Sequence, residues 1–267
     1  MCNVLLFFIY LFDIPLPQML KEERHLYILN EVSIRSRVLL TDLADTLNVS
    51  MDTVRRDVKE LDDFGKLKKV HGGAISLGYN SSSIADSNIF QHQKKLVIAQ
   101  KAIALLKDDQ VLLMSGGTTN LEVARLIPPK LKLTVFTPSI HIASQLLALP
   151  NVEVMFLGGR ISKEAQVTVG GFTINALSEI KTDLCLLGTG YLDTEHGLTE
   201  FDWEVVQLKR AMIKASKRVI LLSISDKLNS SQRYKTCDLN AIDTLITELS
   251  PDDDKLKPFA RYPLRLM

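Results

Sequence analysis

Cysteine is scarce in this chain: Cys2, Cys185 and Cys237 are the only three in 267 residues, far apart and without a C-x-x-C pair. That excludes a disulfide framework and a cysteine zinc site. It points to a reducing, intracellular setting, so a cytoplasmic protein is expected. The histidines His25, His92, His141 and His196 are scattered with no metal-ligand spacing, and neither a metal nor another cofactor is expected. Neither sign of charge prevails, with 32 Lys+Arg against 31 Asp+Glu. A uniformly basic, polyanion-coating protein is thereby excluded, but a local basic surface is not, because affinity for nucleic acid depends on where charges sit. Low-complexity tracts are missing, and 46% hydrophobic against 24% charged residues supply ample material for a core, which excludes disordered and fibrous classes. At roughly 100–200 residues per domain, the length fits one or two domains.

Membrane-length hydrophobic runs are missing too. Val4 to Phe12 (VLLFFIYLF) is apolar for nine residues, well short of the ~20 that a membrane-spanning helix needs. No Lys or Arg precedes it, and no small-residue cleavage pattern comes before Pro15 and Pro17, so it does not read as a secretory signal. Composition changes abruptly at Met19. The expectation is that translation starts there and that residues 1–18 are upstream sequence read in frame; the other reading is a hydrophobic arm that docks on the protein or on a membrane. No membrane partner is expected for the rest of the chain.

What is present begins with a small helical head, residues 19–75. Leu20, Leu26, Ile28 and Leu29 give a first helix its apolar side, ending near Val32. A second helix is expected to start at Thr41 as N-cap, with Asp42 in its first turn and Leu43, Ala44 and Leu47 on one face. Asn48-Val49-Ser50 then makes a tight turn, and Ser50 caps a third helix running to about Asp62. Two short helices joined by such a turn form a helix-turn-helix.

On the third helix, Val54, Val58 and Leu61 are spaced i, i+4, i+7 and share the buried face. Asp52, Arg56 and Lys59 then point nearly opposite, with Thr53 and Arg55 on the flanks. Arginine can bond guanine edges bidentately, while the Ser50 and Thr53 hydroxyls and the helix N-terminal amides suit phosphates. Beyond the helix, Gly65 to Gly73 reads as a strand, a glycine turn and a second strand. Lys66, Lys68, Lys69 and His71 fall within six residues there, and such a wing would reach adjacent phosphates. A solvated three-helix bundle is the bland alternative. Residues 19–75 carry ten Lys+Arg against ten Asp+Glu, so bulk charge does not separate the two readings. The segregation of bases onto one helix face and the wing favours DNA.

The stretch LLTDLADTLNVSMDTVRRDVKELDDFGKLKKVHGGA resembles the N-terminal winged helix-turn-helix of the DeoR-type bacterial transcriptional regulators. Val49-Ser50, Thr53-Val54-Arg55-Arg56-Asp57, Leu61, Gly65 and His71-Gly72-Gly73-Ala74 fall where that family's signature places them.

Ser76 to Asn88 (SLGYNSSSIADSN) is rich in Ser, Asn and Gly and reads as a linker, residues 76–88. The body, residues 89–250, opens with a helix from about Phe90 to Leu106. Strands are expected at Val111–Met114, Leu133–Phe136, Val152–Leu157, Leu184–Leu187, Val219–Ser223 and Thr244–Ile246, alternating with helices at Thr119–Ile127, Ile140–Ala148, Thr173–Ile180 and Trp203–Ser216. Continuous apolar strands alternating with helices imply a parallel sheet covered on both faces, whose ligands sit beyond the carboxyl ends of the strands. Residues 251–267 are left as a C-terminal tail.

The loops at those strand ends carry the chemistry. Ser115-Gly116-Gly117-Thr118-Thr119 offers amides, hydroxyls and a helix N-terminus to an anion. It lacks the Gly-Lys-Ser/Thr ending of a Walker A loop, and Gly188-Thr189-Gly190 lacks the third glycine of a dinucleotide fingerprint. Thr137-Pro138-Ser139 and Gly158-Gly159-Arg160 are similar small-residue ends. Together they suit a phosphorylated small molecule, although each alone reads as an ordinary turn.

Residues 92–247 are similar to the DeoR-type effector domain, itself related in fold to ribose-5-phosphate isomerase, glucosamine-6-phosphate deaminase and CoA transferases. The matching elements are Gly117-Thr118-Thr119, Thr134-Val135-x-Thr137-x-Ser139, Gly158-Gly159, Gly170, Gly188, Gly197-Leu198-Thr199, Glu204, Lys209-x-x-Met212 and Lys227. The resemblance implies an α+β multi-domain protein: a winged helix-turn-helix head followed by an α/β body. It further implies a repressor of carbohydrate-metabolism genes that binds a double-stranded DNA operator as a dimer or tetramer and is released by a phosphorylated sugar or a related metabolite. Ser50, Thr53, Arg55, Arg56, Lys59, Lys66, Lys68, Lys69 and His71 would bind DNA. Ser115, Gly116, Gly117, Thr118, Thr119, Thr137, Ser139, Gly158, Gly159, Gly188 and Lys227 would bind the effector.

Three departures bear on the ligand. Ser115 and Gly116 stand where the family usually has an acidic residue and a serine, Pro138 stands for an Asn, and the acid near Lys227 is Asp226, one residue before it. An enzyme of the isomerase or deaminase kind, carrying a DNA-binding head, is the competing class. Its acid/base candidates are Asp193, Glu195, Glu200 and Glu204, with Lys209 or Lys227 as partners. The head makes turnover unnecessary and the departures remove acids, so no catalytic residue is assigned.

Overall fold

The computed structural model describes residues 19–35, 37–75 and 91–267. The N-terminal extension and the linker expected at 76–88 lie outside them. The chain divides into two units, residues 1–77 and 78–267.

The head consists of α1 (Lys21–Arg35), β1 (Arg37–Leu39), α2 (Leu40–Leu47), α3 (Met51–Asp63), β2 (Lys68–Val70) and β3 (Gly73–Ile75). Ile28 and Val32 of α1, Leu43, Ala44 and Leu47 of α2, and Val54, Val58 and Leu61 of α3 meet in one apolar core, closed by Leu67 and Ala74. Asn48, in the left-handed region at φ 50°, ends α2 and donates its N–H to Ala44 O and Asp45 O, which produces the sharp turn into α3. Thr41 is not the cap of α2. The helix begins one residue earlier, behind Leu39 in extended backbone and without a side-chain cap. The reason is β1, which delivers the chain directly into α2 from a sheet of order β1-β3-β2. β1 is three residues long, too short to show alternation in the sequence. Gly73 is required by this sheet, since a Cβ there would stand 2.2 Å from Val38 O on the paired strand.

The body begins with α4 (His92–Ile103) and continues through β4 (Gln110–Met114), α5 (Thr118–Leu126), β5 (Leu133–Thr137), α6 (Ile140–Leu146) and β6 (Val152–Phe156). There follow the hairpin β7 (Arg160–Ser162) and β8 (Val167–Val169), α7 (Gly171–Ser178), β9 (Leu184–Gly188), β10 (Tyr191–Asp193), β11 (Gly197–Glu200) and α8 (Trp203–Lys214). The chain ends with β12 (Val219–Leu222), β13 (Tyr234–Cys237), β14 (Thr244–Ile246) and β15 (Arg265–Leu266). Seven strands form one parallel sheet in the order β15-β14-β12-β9-β4-β5-β6. Leu112, Leu113 and Met114, and Leu184 to Leu187, are all fully buried. Consecutive buried residues occupy opposite sides of a strand, so both faces of the sheet are covered.

The residues after 250 are not a detached tail. Leu256 and Phe259 are fully buried in the main core, and β15 pairs in parallel with β14. Burial of an aromatic ring, whose truncation costs about 3–5 kcal/mol, holds this segment down and covers the β14 edge.

Candidate functional site

In the head, the Ser50 Oγ accepts the N–H of Thr53 at 3.1 Å and lies 2.9 Å from its hydroxyl, so both expected hydroxyls sit at the start of α3. Arg55, Arg56 and Lys59 are exposed, opposite the buried Val54, Val58 and Leu61. Arg55 is paired with Asp52, while among the described residues no ion pair holds Arg56 or Lys59. In the wing, Lys66, Lys68 and His71 are exposed and Lys69 half-buried; Lys68 lies 3.5 Å from Asp62. The basic strip foreseen from helical spacing is therefore an outward surface.

Asp57, given no role by its position in the signature, is buried in α3. Arg24 of α1 donates to it twice, at 2.8 and 3.2 Å, and His25 Nε2 lies 3.3 Å away. A carboxylate so held fixes the rotation of α3 about its axis, and with it the direction of Arg56 and Lys59.

In the body, the chain runs from β4 outward to β5 and β6, then returns across β4 to β9, β12 and β14. The order reverses between β4 and β9, where open parallel sheets bind ligands. The loop Ser115–Thr119 leaves β4 there, beside the Gly188 end of β9. Gly117, at φ 109°, precedes α5, whose first turn has neither a side-chain cap nor an acidic residue. Gly116, Gly117, Thr118 and Thr119 are half-buried around it. Gly188 is needed for this approach, because a Cβ would stand 3.0 Å from Gly116 O. Lys227, in a 3-10 turn after β12, donates to Thr189 O at 2.6 Å, bringing its cation to the same strand ends.

Other expected residues form the frame of that loop. Ser115 is buried, and its hydroxyl accepts from Gly188 N–H at 2.8 Å and from Asn120 Nδ2 at 3.0 Å while donating to Gly116 O. Thr137 donates to Met114 O at 2.8 Å and accepts the Ser139 N–H, and Ser139 caps α6. Gly158 and Gly159 lie after β6, two strands from β4, roughly 10 Å across the sheet. A Cβ on Gly159 would meet Thr173 Oγ1 at 2.3 Å, so its small size serves the packing of α7.

Two body residues were not singled out in the sequence. Lys95 faces inward with Ile98, Ala99 and Ala102 on α4. Burial lowers its pKa to about 8, with Glu122 and Asp226 opposing the shift. The i, i+3, i+4, i+7 run of Lys95 with those apolar residues was the available signal. Beside it, Lys94 pairs with Asp226, and His92 Nε2 lies 3.2 Å from Glu122. Asn120 donates to Ser115, Gly116 and Leu186, whereas its buried Oδ1 has no partner among the described residues.

Of the acids of the enzyme reading, Glu200 lies at the same strand end and Asp193 and Glu204 are held by other partners. Glu200 and Lys209 form a buried pair whose lysine also donates to Gly188 O at 2.8 Å. Asp193 accepts from the N–H groups of Glu195 and His196 in its own turn, and Glu204 pairs with Arg160.

Residues 24–79 match the DeoR-like helix-turn-helix domain, and residues 90–249 match the DeoR C terminal sensor domain. The HTH-type transcriptional repressor GlcR of Bacillus subtilis is 31% identical over 88% of this chain and 91% of its own length. The glycerol-3-phosphate regulon repressor of Escherichia coli is 27% identical over 93% of this chain and 99% of its own. A ribose 5-phosphate isomerase from Methanocaldococcus jannaschii shares 16% identity at a TM-score of 0.37, covering 50% of this chain and 53% of that one. No helix among the described residues is long and apolar enough to cross a membrane. With both domain models matched in head-then-body order, the chain belongs to the DeoR family of transcriptional regulators.

Proposed function

We propose that the chain is a transcriptional repressor in which α3 and the wing bind operator DNA and the strand-end loop of the body binds a phosphorylated sugar that releases it. The observation that carries the reading is the outward basic face of α3, with Arg56 and Lys59 opposite a fully buried Val54 and Val58. Arg56 and its neighbours Thr53, Arg55 and Lys59 read the major groove and its flanks; Lys66, Lys68, Lys69 and His71 hold phosphates. In the body, the first-turn amides of α5, the hydroxyls of Thr118 and Thr119, and the cations of Lys227 and Lys95 supply what a phosphate dianion needs. Ser115, Thr137, Ser139 and Gly188 hold this loop in shape. The names of the relatives, a repressor and a glycerol-3-phosphate regulon repressor, support the same ligand class. Release requires that the effector bind one arrangement of the protein more tightly than the DNA-binding one.

The test is fluorescence anisotropy on DNA from upstream of the protein's own gene cluster, with and without a panel of sugar phosphates. Salt-dependent, sequence-specific binding that one compound weakens is expected. Absence of specific binding would reopen the enzyme reading, to be tested by release of an isomerised or deaminated sugar phosphate.

A further inference from the structure

The outward face of α3 holds a carboxylate that the repressor reading leaves without a role. Asp52 stands in the first turn, on the line of Arg56 and Lys59 and opposite the buried Val54 and Val58. Its Oδ1 accepts a hydrogen bond from Arg55 Nη1. Both side chains remain in water, Asp52 70% exposed and Arg55 52%, so the pair is free to meet a ligand. The other acids of the helix are committed or distant. Asp57 is clasped by Arg24, Glu60 pairs with Lys21 of α1, Asp62 lies beside Lys68, and Asp63 ends the helix.

The N-terminal residues of a recognition helix are the ones that reach base edges. An anion there approaches a duplex carrying one negative charge per ~1.7 Å. Any sequence that offers it no donor leaves it desolvated and unpaired, which is a means of rejecting that sequence. The donors of the major groove are the amino groups of cytosine and adenine. Adenine N6 lies beside the N7 lone pair, which repels a carboxylate; cytosine N4 has no acceptor on its own base edge. Read across the groove, a C·G pair presents the N4 donor and then the O6 and N7 acceptors of guanine, an order that no other pair repeats. Asp52 and Arg55, already joined side by side, offer an acceptor and then donors in the matching order. We propose that they read one C·G pair of the operator together, the Asp52 carboxylate accepting from cytosine N4 and the Arg55 guanidinium donating to guanine O6 and N7. This rests on the assignment of α3 to DNA and deepens it by naming the base pair. Because the two side chains are paired before DNA arrives, little ordering remains for binding to accomplish.

Selection from a pool of randomised duplexes with the full chain, followed by anisotropy on the selected duplex, tests the proposal. The wild type is expected to enrich a motif containing a C·G pair. It should bind that duplex at least about fivefold more tightly than one with T·A in its place. Asp52→Ala should lose this preference and keep the rest of the motif. It should also bind a scrambled duplex more tightly than wild type does, because an anion is gone and Arg55 is released to phosphate. Asp52→Asn should move the preference toward adenine, which asparagine bonds at N6 and N7. A carboxylate that serves only the helix dipole would change the melting temperature and no base preference. Retention of the C·G preference by Asp52→Ala overturns the proposal, as does an equal loss on selected and scrambled duplexes. Arg56→Ala, expected to relax a different position, separates this inference from the reading beneath it. A motif sensitive to Arg56 and indifferent to Asp52 overturns the inference alone, whereas a wild type that enriches no sequence overturns both.

Discussion

Arg24 of α1 clasps Asp57 of α3 with two hydrogen bonds, at 2.8 and 3.2 Å, and both side chains are largely out of water. Removing one member of such a pair leaves a buried charge uncompensated, which typically costs about 3–5 kcal/mol. Asp57→Ala is therefore expected to lower the melting temperature of the head and to abolish operator binding, although Asp57 touches no DNA. Arg24→Met with Asp57→Leu should recover much of the stability. Calorimetry of the single and double variants checks this; additive losses would show that the pair is not the relevant unit.

Arg56 and Lys68 should fail in different ways. Arg56→Ala is expected to cost about 1–3 kcal/mol and to relax preference at one base position, whereas Lys68→Ala should weaken all sequences alike and lower the salt slope by about 1. Anisotropy titrations over several salt concentrations on specific and scrambled duplexes separate the two. Wild-type affinity in both variants would place the DNA surface elsewhere.

Ser115 holds the β4 loop to β9 through the Gly188 N–H. Ser115→Ala leaves that amide without its acceptor and takes one of three acceptors from the Asn120 amide, a loss of about 1–3 kcal/mol. The effector response should shift to higher concentration while affinity for operator in its absence stays near wild type. Loss of operator binding instead would mean that the loop shapes the whole body.

Lys95 is the group whose titration the body should reveal. Its pKa is lowered from 10.5 to about 8 by burial. The unfolded chain thus binds the proton more tightly than the folded one, so stability rises as pH increases from about 8 to 10.5. Below that window the cost of burying the charge is present in full. Lys95→Met should therefore melt higher than wild type at pH 7 and lose the alkaline rise, while responding poorly to effector. A variant that melts lower at pH 7 would show that the lysine contributes more than its burial costs.

Burial also pushes the thiol of Cys185 up to about 12 and that of Cys237 up to about 11. Because thiolate is the reactive form, both should resist alkylation at pH 7.5 in the folded protein and react on unfolding. Rapid labelling of Cys185 in the native state would contradict the packing of β9.

Local spacing determined much of this protein. Val54, Val58 and Leu61 define the hidden side of α3 by their separation alone, and the exposure of Arg56 and Lys59 follows from helical period. The alternation of apolar strands with helices specified a parallel sheet, and the glycine-rich run 115–119 marked the strand end at which its order reverses. What tertiary structure decided were relations between residues distant in the chain. Asp57 meets Arg24 across 33 positions and Ser115 meets Gly188 across 73; no periodicity encodes such a pairing. The hydroxyls of Ser115 and Thr137 looked like ligand donors because their chemistry suits an anion, yet packing turned them to backbone partners, since a buried donor left unpaired costs more than a ligand contact forgone. Lys95 and the residues beyond 250 are the same case in reverse: burial, which only the folded chain creates, made one charge unusual and turned an expected tail into part of the core.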